Sequence, residues 1–426
     1  MITTPVETAA ASRAKGKSVE SIAKKTTSAR YRRRSIPTPS LRELAGSATR
    51  TVTEVTSIWL DESAGERYAP LREDATADVA IVGGGIAGVA TAYHLARAGV
   101  GTILLEARTI AEAASGRNAG FLLAGVAENF VAACRRYGEK NALRIWRFTK
   151  RNQALVRALV RENEIECDLA WNGSDQIAGD DEEWDEIEAS AERLGREDVR
   201  VRVIGSKRSA IYEDDGELHP VRYVRELARS AIAAGARIHE GSRARAVSCD
   251  EVEVGSARVR AGSVVLCTNA YTSQLAALRV KPVRGQMLAT APLARRVFER
   301  PAYANRGYRY WRQRADGRVL VGGWRDTAAD EEIGEEERTT TRIQDQLDGF
   351  LREHAPDALV THRWAGTMGF SHDALPYVGR MANGVYVNAG FTGHGMAFAT
   401  ATGELIADIV RGVRRPETDL FTPERP

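Results

Sequence analysis

Residues 78–106 read DVAIVGGGIAGVATAYHLARAGVGTILLE and give the strongest indication of the fold. An apolar run leads into the glycine cluster Gly83-x-Gly85-x-x-Gly88, and a helix of small residues and a second apolar run follow. Such glycines allow a tight turn, a close approach of pyrophosphate to the backbone, and close packing of the helix on the sheet. The free N–H groups at the start of the helix favour phosphate. The stretch therefore predicts a βαβ unit that binds a dinucleotide.

The second apolar run of this unit ends at Glu106. An acid about 20 residues after the glycines hydrogen-bonds a ribose hydroxyl in such units, and Glu106 stands near that spacing from Gly85. A carboxylate there would repel a 2′-phosphate, so NADP is disfavoured. The motif alone leaves FAD and NAD open.

The composition is that of an ordinary globular protein. With 426 residues the chain exceeds one typical domain, so we expect two lobes. A net charge of +3 is too small to indicate a nucleic-acid or membrane partner, and no apolar run approaches the ~18 residues of a membrane span. The four scattered cysteines form no Cys-x-x-Cys pair, so we expect no metal site and a reducing, cytoplasmic setting.

The N-terminal region differs from the rest in composition. Residues 1–40 are rich in Lys, Arg, Ser and Thr and have no apolar core of a secretory signal. Their composition resembles a transit peptide and is also typical of a disordered tail, which is the interpretation we favour. We predict a disordered basic tail over residues 1–55.

A second glycine-rich turn lies near the C-terminus. The apolar run 385–388 leads into Gly390-Phe-Thr-Gly-His-Gly395, and a helix of small and apolar residues is predicted from Met396. A helix N-terminus there would direct its positive dipole end at a ligand, and reduced flavin carries negative charge along the N1/C2=O edge of its ring. Alone, the turn could be an ordinary loop. Together with the first motif it favours FAD over NAD.

Helices and antiparallel strands separate the two glycine turns. Residues 127–163 have helical periodicity with a break or kink at Gly138, and residues 283–290, 307–313 and 318–324 alternate like antiparallel strands. This order predicts an α/β fold: a Rossmann-like FAD-binding lobe with an inserted α+β substrate lobe built on an antiparallel sheet. The predicted boundaries are 56–125, 216–280 and 371–426 for the FAD-binding lobe, and 126–215 and 281–370 for the substrate lobe.

Several motifs in order resemble one family. They are the Gly83 unit, Ala114-Ser-Gly-Arg-Asn118, Leu218-His-Pro220, Asp316-Gly-Arg-Val-Leu-Val-Gly-Gly323, Asp373-Ala-Leu-Pro376 and the Gly390 turn. From about Ser57 to Asp419 the chain resembles the D-amino-acid-oxidase-like FAD oxidoreductases, which include glycine oxidase, sarcosine oxidase and γ-glutamylputrescine oxidase. The Ser-Gly-Arg-Asn segment is most similar to the γ-glutamylputrescine-oxidase-like branch.

The resemblance implies FAD and a set of cofactor contacts. It implies Glu106 on the ribose, Val247 against the adenine, and the Gly393–Met396 turn at the flavin C2=O. The full set of implied FAD contacts is Gly83, Gly85, Ile86, Ala87, Gly88, Glu106, Ala107, Arg108, Ser115, Gly116, Arg117, Asn118, Val247, Thr268, Gly390, Gly393, His394, Gly395 and Met396.

Departures from the family pattern bear on the reaction. No cysteine stands in Trp364–Met368, where the sarcosine-oxidase branch tethers its flavin, so we expect non-covalent FAD. Leu320 replaces an oxygen-activating lysine, which leaves oxidase and dehydrogenase activity both open. Ala397 and the apolar segment Phe121–Leu123 replace residues that grip a substrate carboxylate. An amine whose carboxylate is distant or absent therefore fits better than a simple α-amino acid.

Candidate substrate-facing residues are the aromatic Phe121, Tyr310 and Trp364, together with His394. Aromatic walls attract a cationic amine and exclude water; core packing and helix capping are the alternatives for these side chains. Arg309 and Arg312 could bind an anionic tail, or they are ordinary surface arginines.

The resulting prediction is an FAD-dependent enzyme that removes a hydride from the C–H beside an amine nitrogen, by oxidative deamination of an amine or amino acid. Its partners would be a small-molecule amine and O2 or another electron acceptor. The alternatives are an amine dehydrogenase that does not use O2, a non-catalytic FAD-binding subunit of a larger dehydrogenase, and a flavin monooxygenase. No second Gly-x-Gly-x-x-Gly supports the last of these.

Overall fold

A computed structural model describes residues 56–63 and 65–425. The basic tail predicted for residues 1–55 lies outside the described residues. In chain order, the helices are α1 (Ile58–Asp61), α2 (Ile86–Arg97), α3 (Phe130–Tyr137), α4 (Glu139–Glu162), α5 (Asp181–Gly195), α6 (Pro220–Ala233), α7 (Thr341–His354), α8 (Gly395–Val410) and α9 (Thr418–Phe421).

Eighteen strands are formed by the described residues. They are β1 (Ala75–Val82), β2 (Thr102–Leu105), β3 (Phe121–Leu122), β4 (Ser174–Ile177), β5 (Val201–Ile204), β6 (Ser209–Tyr212), β7 (Gly216–Glu217), β8 (Arg237–His239), β9 (Ala244–Val247), β10 (Glu251–Val254), β11 (Ala257–Leu266), β12 (Lys281–Thr290), β13 (Ala302–Ala304), β14 (Arg309–Gln313), β15 (Val319–Gly323), β16 (Val360–Phe370), β17 (Tyr377–Arg380) and β18 (Tyr386–Ala389).

The first sheet has the order β17-β18-β11-β1-β2-β8, and a hairpin of β9 and β10 extends from β11. The pairs from β18 to β8 are parallel, whereas β17 runs antiparallel to β18. The last four residues of β1, Val79–Val82, are all buried. A continuous apolar strand of this kind is typical of a parallel sheet covered on both faces.

The second sheet has the order β16-β12-β15-β14-β13-β4-β6-β5, and its pairs are antiparallel except for β13 with β4. Its strands fall within residues 126–215 and 281–370, while those of the first sheet fall within 56–125, 216–280 and 371–426. The fold is therefore the predicted combination of a Rossmann-like lobe and an antiparallel sheet. The predicted lobe boundaries themselves stay a prediction.

The helical region after the first unit is interrupted as the sequence predicts. Gly138 has a φ of 78° and separates α3 from α4. A positive φ favours glycine, since it carries no Cβ to clash with the backbone. The break lets α3 and α4 lie as two separate helices, and Phe130 and Trp146 from them share one core cluster with Ile187 of α5.

Candidate functional site

A cavity of about 420 Å³ lies at the carboxyl ends of β1, β2 and β11, where ligands bind in open α/β sheets. The N-terminal ends of α2 and α8 border it from the first lobe, and residues from β13 to β15 border it from the second sheet. Both glycine turns that the sequence singles out therefore open into one space.

The turn from β1 to α2 depends on two glycines. Gly83 has a φ of 111°, and a Cβ there would lie 2.5 Å from the Cys267 carbonyl oxygen. A Cβ on Gly88 would lie 1.9 Å from the carbonyl oxygen of Gly83. Any side chain at either position would force the backbone apart, so α2 can approach β1 and β11 only with glycine there.

The start of α2 is open to the cavity. Gly85 is its N-cap and offers no side chain to cap the helix. The Ile86 N–H donates to the Ser115 hydroxyl (3.0 Å), and Asn118 folds the loop around Ser115 by donating to the Ala114 and Ser115 carbonyls. The loop is thereby held beside a helix N-terminus, which is a suitable place for phosphate.

Glu106 stands at the end of β2, next to this turn. Its carboxylate accepts hydrogen bonds from the Gly84 N–H (2.6 Å) and the Arg108 N–H (2.7 Å). Burial raises the pKa of Glu106, and these two N–H donors oppose the rise. An ionised carboxylate has about four acceptor positions, so Glu106 retains capacity for the hydroxyls of a ribose.

Glu337 joins the two arginines that were predicted to contact the cofactor. Arg108 Nη1 and Nη2 donate to the Glu337 carboxylate (2.7 and 3.0 Å), and Arg117 Nη2 lies 3.3 Å from the same carboxylate. Arg117 also donates to the Glu112 and Ala365 carbonyls. Glu337 was not predicted from the sequence, because it ends the acidic run 335–337, which is typical of a solvated loop.

The second glycine turn is held by amide side chains from distant segments. The Asn269 Oδ1 accepts from the Gly390 N–H (3.0 Å) and the Phe391 N–H (3.3 Å). Asn152 of α4 donates to the Met396 carbonyl and accepts from the Ala401 N–H. These bonds fix α8 so that its N-cap, His394, borders the cavity without capping the helix through its side chain.

Three aromatic rings line the cavity at this end. The ring centroid of Phe121 lies 6.5 Å from that of Tyr303 and 6.4 Å from that of Tyr310, and the two tyrosine rings stack at 6.2 Å. We call Phe121, Tyr303 and Tyr310 the aromatic trio. Tyr303 was not predicted from the sequence, although it is the register partner of Tyr310 on the neighbouring strand.

His394 borders the trio. Its Nε2 lies 3.5 Å from the Tyr303 hydroxyl, and its ring is 5.8 Å from that of Tyr303. Its Nδ1 is buried and has no hydrogen-bond partner among the described residues. Burial lowers the pKa of His394 to about 4, assisted by the charge of Arg325. The imidazole is therefore neutral at pH 7, and one ring nitrogen is left for a ligand.

Most of the predicted cofactor contacts border this cavity. They are Gly83, Gly85, Ile86, Ala87, Glu106, Ala107, Arg108, Ser115, Arg117, Asn118, Thr268, Gly393, His394, Gly395 and Met396. The cavity is not lined by Gly88, Gly116 or Gly390. Each of the three approaches another segment closely: the nearest atom to a Cβ on Gly116, for example, would be the Ala111 carbonyl oxygen at 2.2 Å.

Two predicted site residues do not border the cavity, and their contacts stay predictions. The Trp364 side chain is fully buried, and its Nε1 donates to the Arg117 carbonyl (2.9 Å). Val247 does not border the cavity, because it lies at the far end of β9. Arg243 and Ala244, where β9 begins, border it instead.

The two arginines expected to bind an anionic tail are paired within the protein. Arg309 forms a two-point contact with Asp326, and Arg312 is buried with its Nε 2.7 Å from Glu217. Neither borders the cavity. The cation missed by the sequence analysis is Arg325, which does border it.

The structure also shows where the residues lie that depart from the family pattern. Leu320 is fully buried in the core, and Ala397 borders the cavity.

The described residues hold no cluster of His, Cys, Asp and Glu suited to a metal ion. Among the helices of the described part of the chain, none has the length and apolar character to cross a membrane. The cytoplasmic setting stays a prediction.

The features of the cavity match the needs of FAD. Two helix N-termini without side-chain caps, a carboxylate beside the first turn and an unpartnered His394 nitrogen border one continuous space. Burial raises the pKa of Cys267, which also borders the cavity, to about 12, so this thiol is not a nucleophile at pH 7. The described lining of the cavity thus offers no reactive thiol for a covalent bond to FAD.

Comparison with known proteins agrees with this geometry. Residues 78–409 match the DAO family model, which describes FAD-dependent oxidoreductases. The chain is 27% identical over 394 residues to gamma-glutamylputrescine oxidoreductase of Escherichia coli, covering 85% of this chain and 90% of that protein. It is 26% identical over 386 residues to glycine oxidase of Bacillus licheniformis, covering 82% and 97%.

A solved structure supports the fold. The glycine oxidase of Geobacillus kaustophilus superposes with a TM-score of 0.72 at 22% identity, covering 83% of this chain and 99% of that one. At this identity the likeness supports the architecture alone, and the family rests on the sequence match over residues 78–409. The chain belongs to the DAO family of FAD-dependent oxidoreductases.

Proposed function

We propose that this protein catalyses the oxidative deamination of a small amine, of the kind found in γ-glutamylputrescine, whose carboxylate is distant from the reacting carbon. A hydride leaves the C–H beside the amine nitrogen, and the resulting imine is hydrolysed. FAD, when bound, supplies the two-electron acceptor for this step. The observation that carries the proposal is the single cavity bordered by both helix N-termini and by the aromatic trio.

The proposed cofactor contacts follow from the geometry of the first lobe. The N-terminus of α2 and Ser115 would hold the pyrophosphate, and Glu106 the ribose. The N-terminus of α8, with Gly393–Met396, would face the flavin ring, where its dipole favours the charge that develops on reduction. These assignments rest on position, since each group borders the cavity.

The protein side chains would act on the amine mainly by positioning it. The aromatic trio forms an apolar wall that excludes water and attracts a cationic amine. His394 is neutral at pH 7, so it can exchange a hydrogen bond with the amine without repelling it. Holding the reacting C–H in place is a large part of catalysis in reactions of this type.

One observation favours a second candidate, an amine dehydrogenase that passes its electrons to an acceptor other than O2. The resemblance implies an oxygen-activating lysine where Leu320 stands, and Leu320 is buried in the core. The cavity lining within the described residues contains no lysine at all. Slow reoxidation by O2, together with fast reoxidation by an artificial dye, would support this alternative.

Anaerobic flavin reduction tests the proposal. The purified holoprotein is mixed with γ-glutamyl amines, polyamines, N-methyl amino acids and simple α-amino acids, and the loss of the oxidised-flavin absorbance is followed. We expect γ-glutamyl amines to reduce the flavin fastest. Reduction by α-amino acids alone would contradict a distant carboxylate, and a yellow protein inert to every amine would favour the non-catalytic subunit.

A further inference from the structure

Five arginines border the cavity, and they differ in their partners. Arg108 and Arg117 contact Glu337, and Arg306 pairs with Asp180 and Glu182. Arg243 is exposed at the first-lobe end, next to Ser242, whose N–H donates to the Glu106 carbonyl. Arg325 therefore remains as the cation at the end where the aromatic trio lies.

Arg325 has no carboxylate within 4 Å among the residues that the structure describes. Its guanidinium lies over the ring of Tyr308 (4.4 Å to the centroid) and over that of Phe370 (5.1 Å). These rings hold the side chain in place but accept none of its N–H groups in a conventional hydrogen bond. Its charge opposes the rise in the pKa of Tyr310 and favours neutral His394, so it acts on the same space.

Neighbouring arginines of the same sheet are fully matched by acids. Arg309 pairs with Asp326, Arg312 with Glu217, and Arg314 with Glu62 at 2.8 Å. Arg325 is half-buried and lacks such a partner. A partly desolvated guanidinium without an anion is costly, and its planar fork is suited to a carboxylate.

We propose that Arg325 binds the substrate carboxylate and determines specificity for amines that carry one. This inference rests on the proposed function and names its substrate class: a reactive amine at the aromatic trio, joined by a spacer to a carboxylate at Arg325. Arg325 is held by the rings of Tyr308 and Phe370, which are not part of the trio, so a spacer between the amine and the carboxylate belongs to the proposal.

A matched pair of amines tests the inference. The first probe is N-(4-aminobutyl)glutaramic acid, which ends in a carboxylate, and the second is its primary amide, which has the same length and no charge there. Anaerobic flavin reduction by each is measured for the wild type, Arg325→Gln, Arg325→Lys and the control Arg309→Gln. Arg309 is a suitable control because it lies outside the cavity and is paired with Asp326.

We expect the wild type and Arg309→Gln to prefer the acid by roughly 10- to 100-fold in the apparent binding constant, the range for a hydrogen bond to a charged group. Arg325→Gln should lose that preference, because its binding of the acid falls to about the strength of its own binding of the amide. Arg325→Lys should retain part of the preference, because lysine keeps the charge without the planar guanidinium fork.

A second readout without turnover is the change in flavin absorbance on titration with N-butylglutaramic acid. We expect this change to disappear in Arg325→Gln.

The outcomes separate this inference from the proposed function. If both probes reduce the wild-type flavin equally, or if Arg325→Gln keeps the preference for the acid, Arg325 does not bind the carboxylate and the amine oxidation stands. If no amine reduces the flavin, the proposed function fails, and the titration decides about Arg325 alone. If Arg325→Gln loses FAD, the comparison is made with Arg325→Lys, and an unchanged preference there at full FAD content would overturn the inference.

Discussion

At the residue scale, Gly85 is where a side chain would interfere most directly with phosphate. A Cβ there would lie 2.8 Å from the Ser115 hydroxyl, the acceptor for the first free N–H of α2. We expect Gly85→Val to displace Ser115 and to occupy the space in front of the N-terminus of α2. FAD occupancy should fall at least about tenfold, since the phosphate site combines these N–H groups with the helix dipole. The ratio of flavin to protein absorbance in the purified protein measures this.

The matched control is Gly195→Val at the end of α5, where a Cβ has no neighbour within 4 Å. This variant should keep the wild-type flavin content. Stoichiometric FAD in Gly85→Val would refute the assignment of the phosphate site to the start of α2.

His219 couples the stability of the first lobe to pH. Its ring caps α6 by accepting the Arg222 N–H (3.3 Å), it is 1% exposed, and burial lowers its pKa to about 3. Below the unfolded value of about 6.5, the unfolded chain takes up a proton that the folded chain does not, so stability is lost as the pH falls. Between pH 7 and pH 5, the wild type should lose roughly 2 kcal/mol more than His219→Asn.

Asparagine is chosen because it also caps helices but does not titrate. Urea unfolding of both proteins at the two pH values gives the comparison, and any constant cost of the substitution cancels in it. Parallel loss of stability in the two proteins would show that His219 is protonated in the folded state.

At the scale of elements, the packing of α2 against α8 brings the two glycine turns to one cavity. Gly403 of α8 faces α2, and a Cβ there would lie 2.5 Å from the Cβ of Ala90 and 2.9 Å from the Thr91 nitrogen. Gly403→Ala should therefore cost about 1–3 kcal/mol of unfolding free energy through overpacking. It should also weaken FAD binding, because both helix N-termini border the site.

Gly349 of α7 offers the same substitution without the contact, since its nearest neighbour would be the end of Arg352 at 3.9 Å. Gly349→Ala should be neutral or stabilising by up to about 1 kcal/mol, because alanine is the better helix former. Denaturant unfolding and flavin titration of both variants check this. Equal effects would mean that the α2–α8 contact is not tight.

At the scale of the whole molecule, Arg312 connects the second sheet to the segments around β3 and β7. Besides its contact with Glu217, its Nη1 donates to the Ala119 carbonyl and to the Leu218 carbonyl, both at 3.1 Å. Arg312→Met would leave the buried carboxylate of Glu217 without a cation, so we expect a loss of about 3–5 kcal/mol in unfolding free energy. Urea denaturation measures it.

Arg309→Met is the control for this variant. Arg309 lies three residues earlier on the same strand, and its pair with Asp326 is partly exposed, so the loss should be at most about 1 kcal/mol. Similar losses for the two variants would mean that water or protonation compensates the charge of Glu217. Arg312 would then not stabilise the contact between the lobes.

The features that depend on neighbouring residues could be predicted from the sequence alone. The turn at Gly83, the acid at Glu106 and the break at Gly138 are set by backbone conformation and by spacing within one unit, so they can be read from a short window. The Gly390 turn and its helix were predictable for the same reason. These local signals, in their order along the chain, were sufficient for the Rossmann-like lobe, the inserted antiparallel sheet and FAD.

Which side chains border the cavity could not be predicted from the sequence, because it depends on the folded chain. Trp364 and Tyr310 are both aromatic residues on strands, yet one is buried under Arg117 and the other borders the cavity. Arg309, Arg312 and Arg325 look alike in sequence, and their acids decide their roles: Glu217 lies 95 positions from Arg312, and Arg325 has no acid within reach among the described residues. Ion pairs and burial arise between segments far apart in the chain, so no short window contains them.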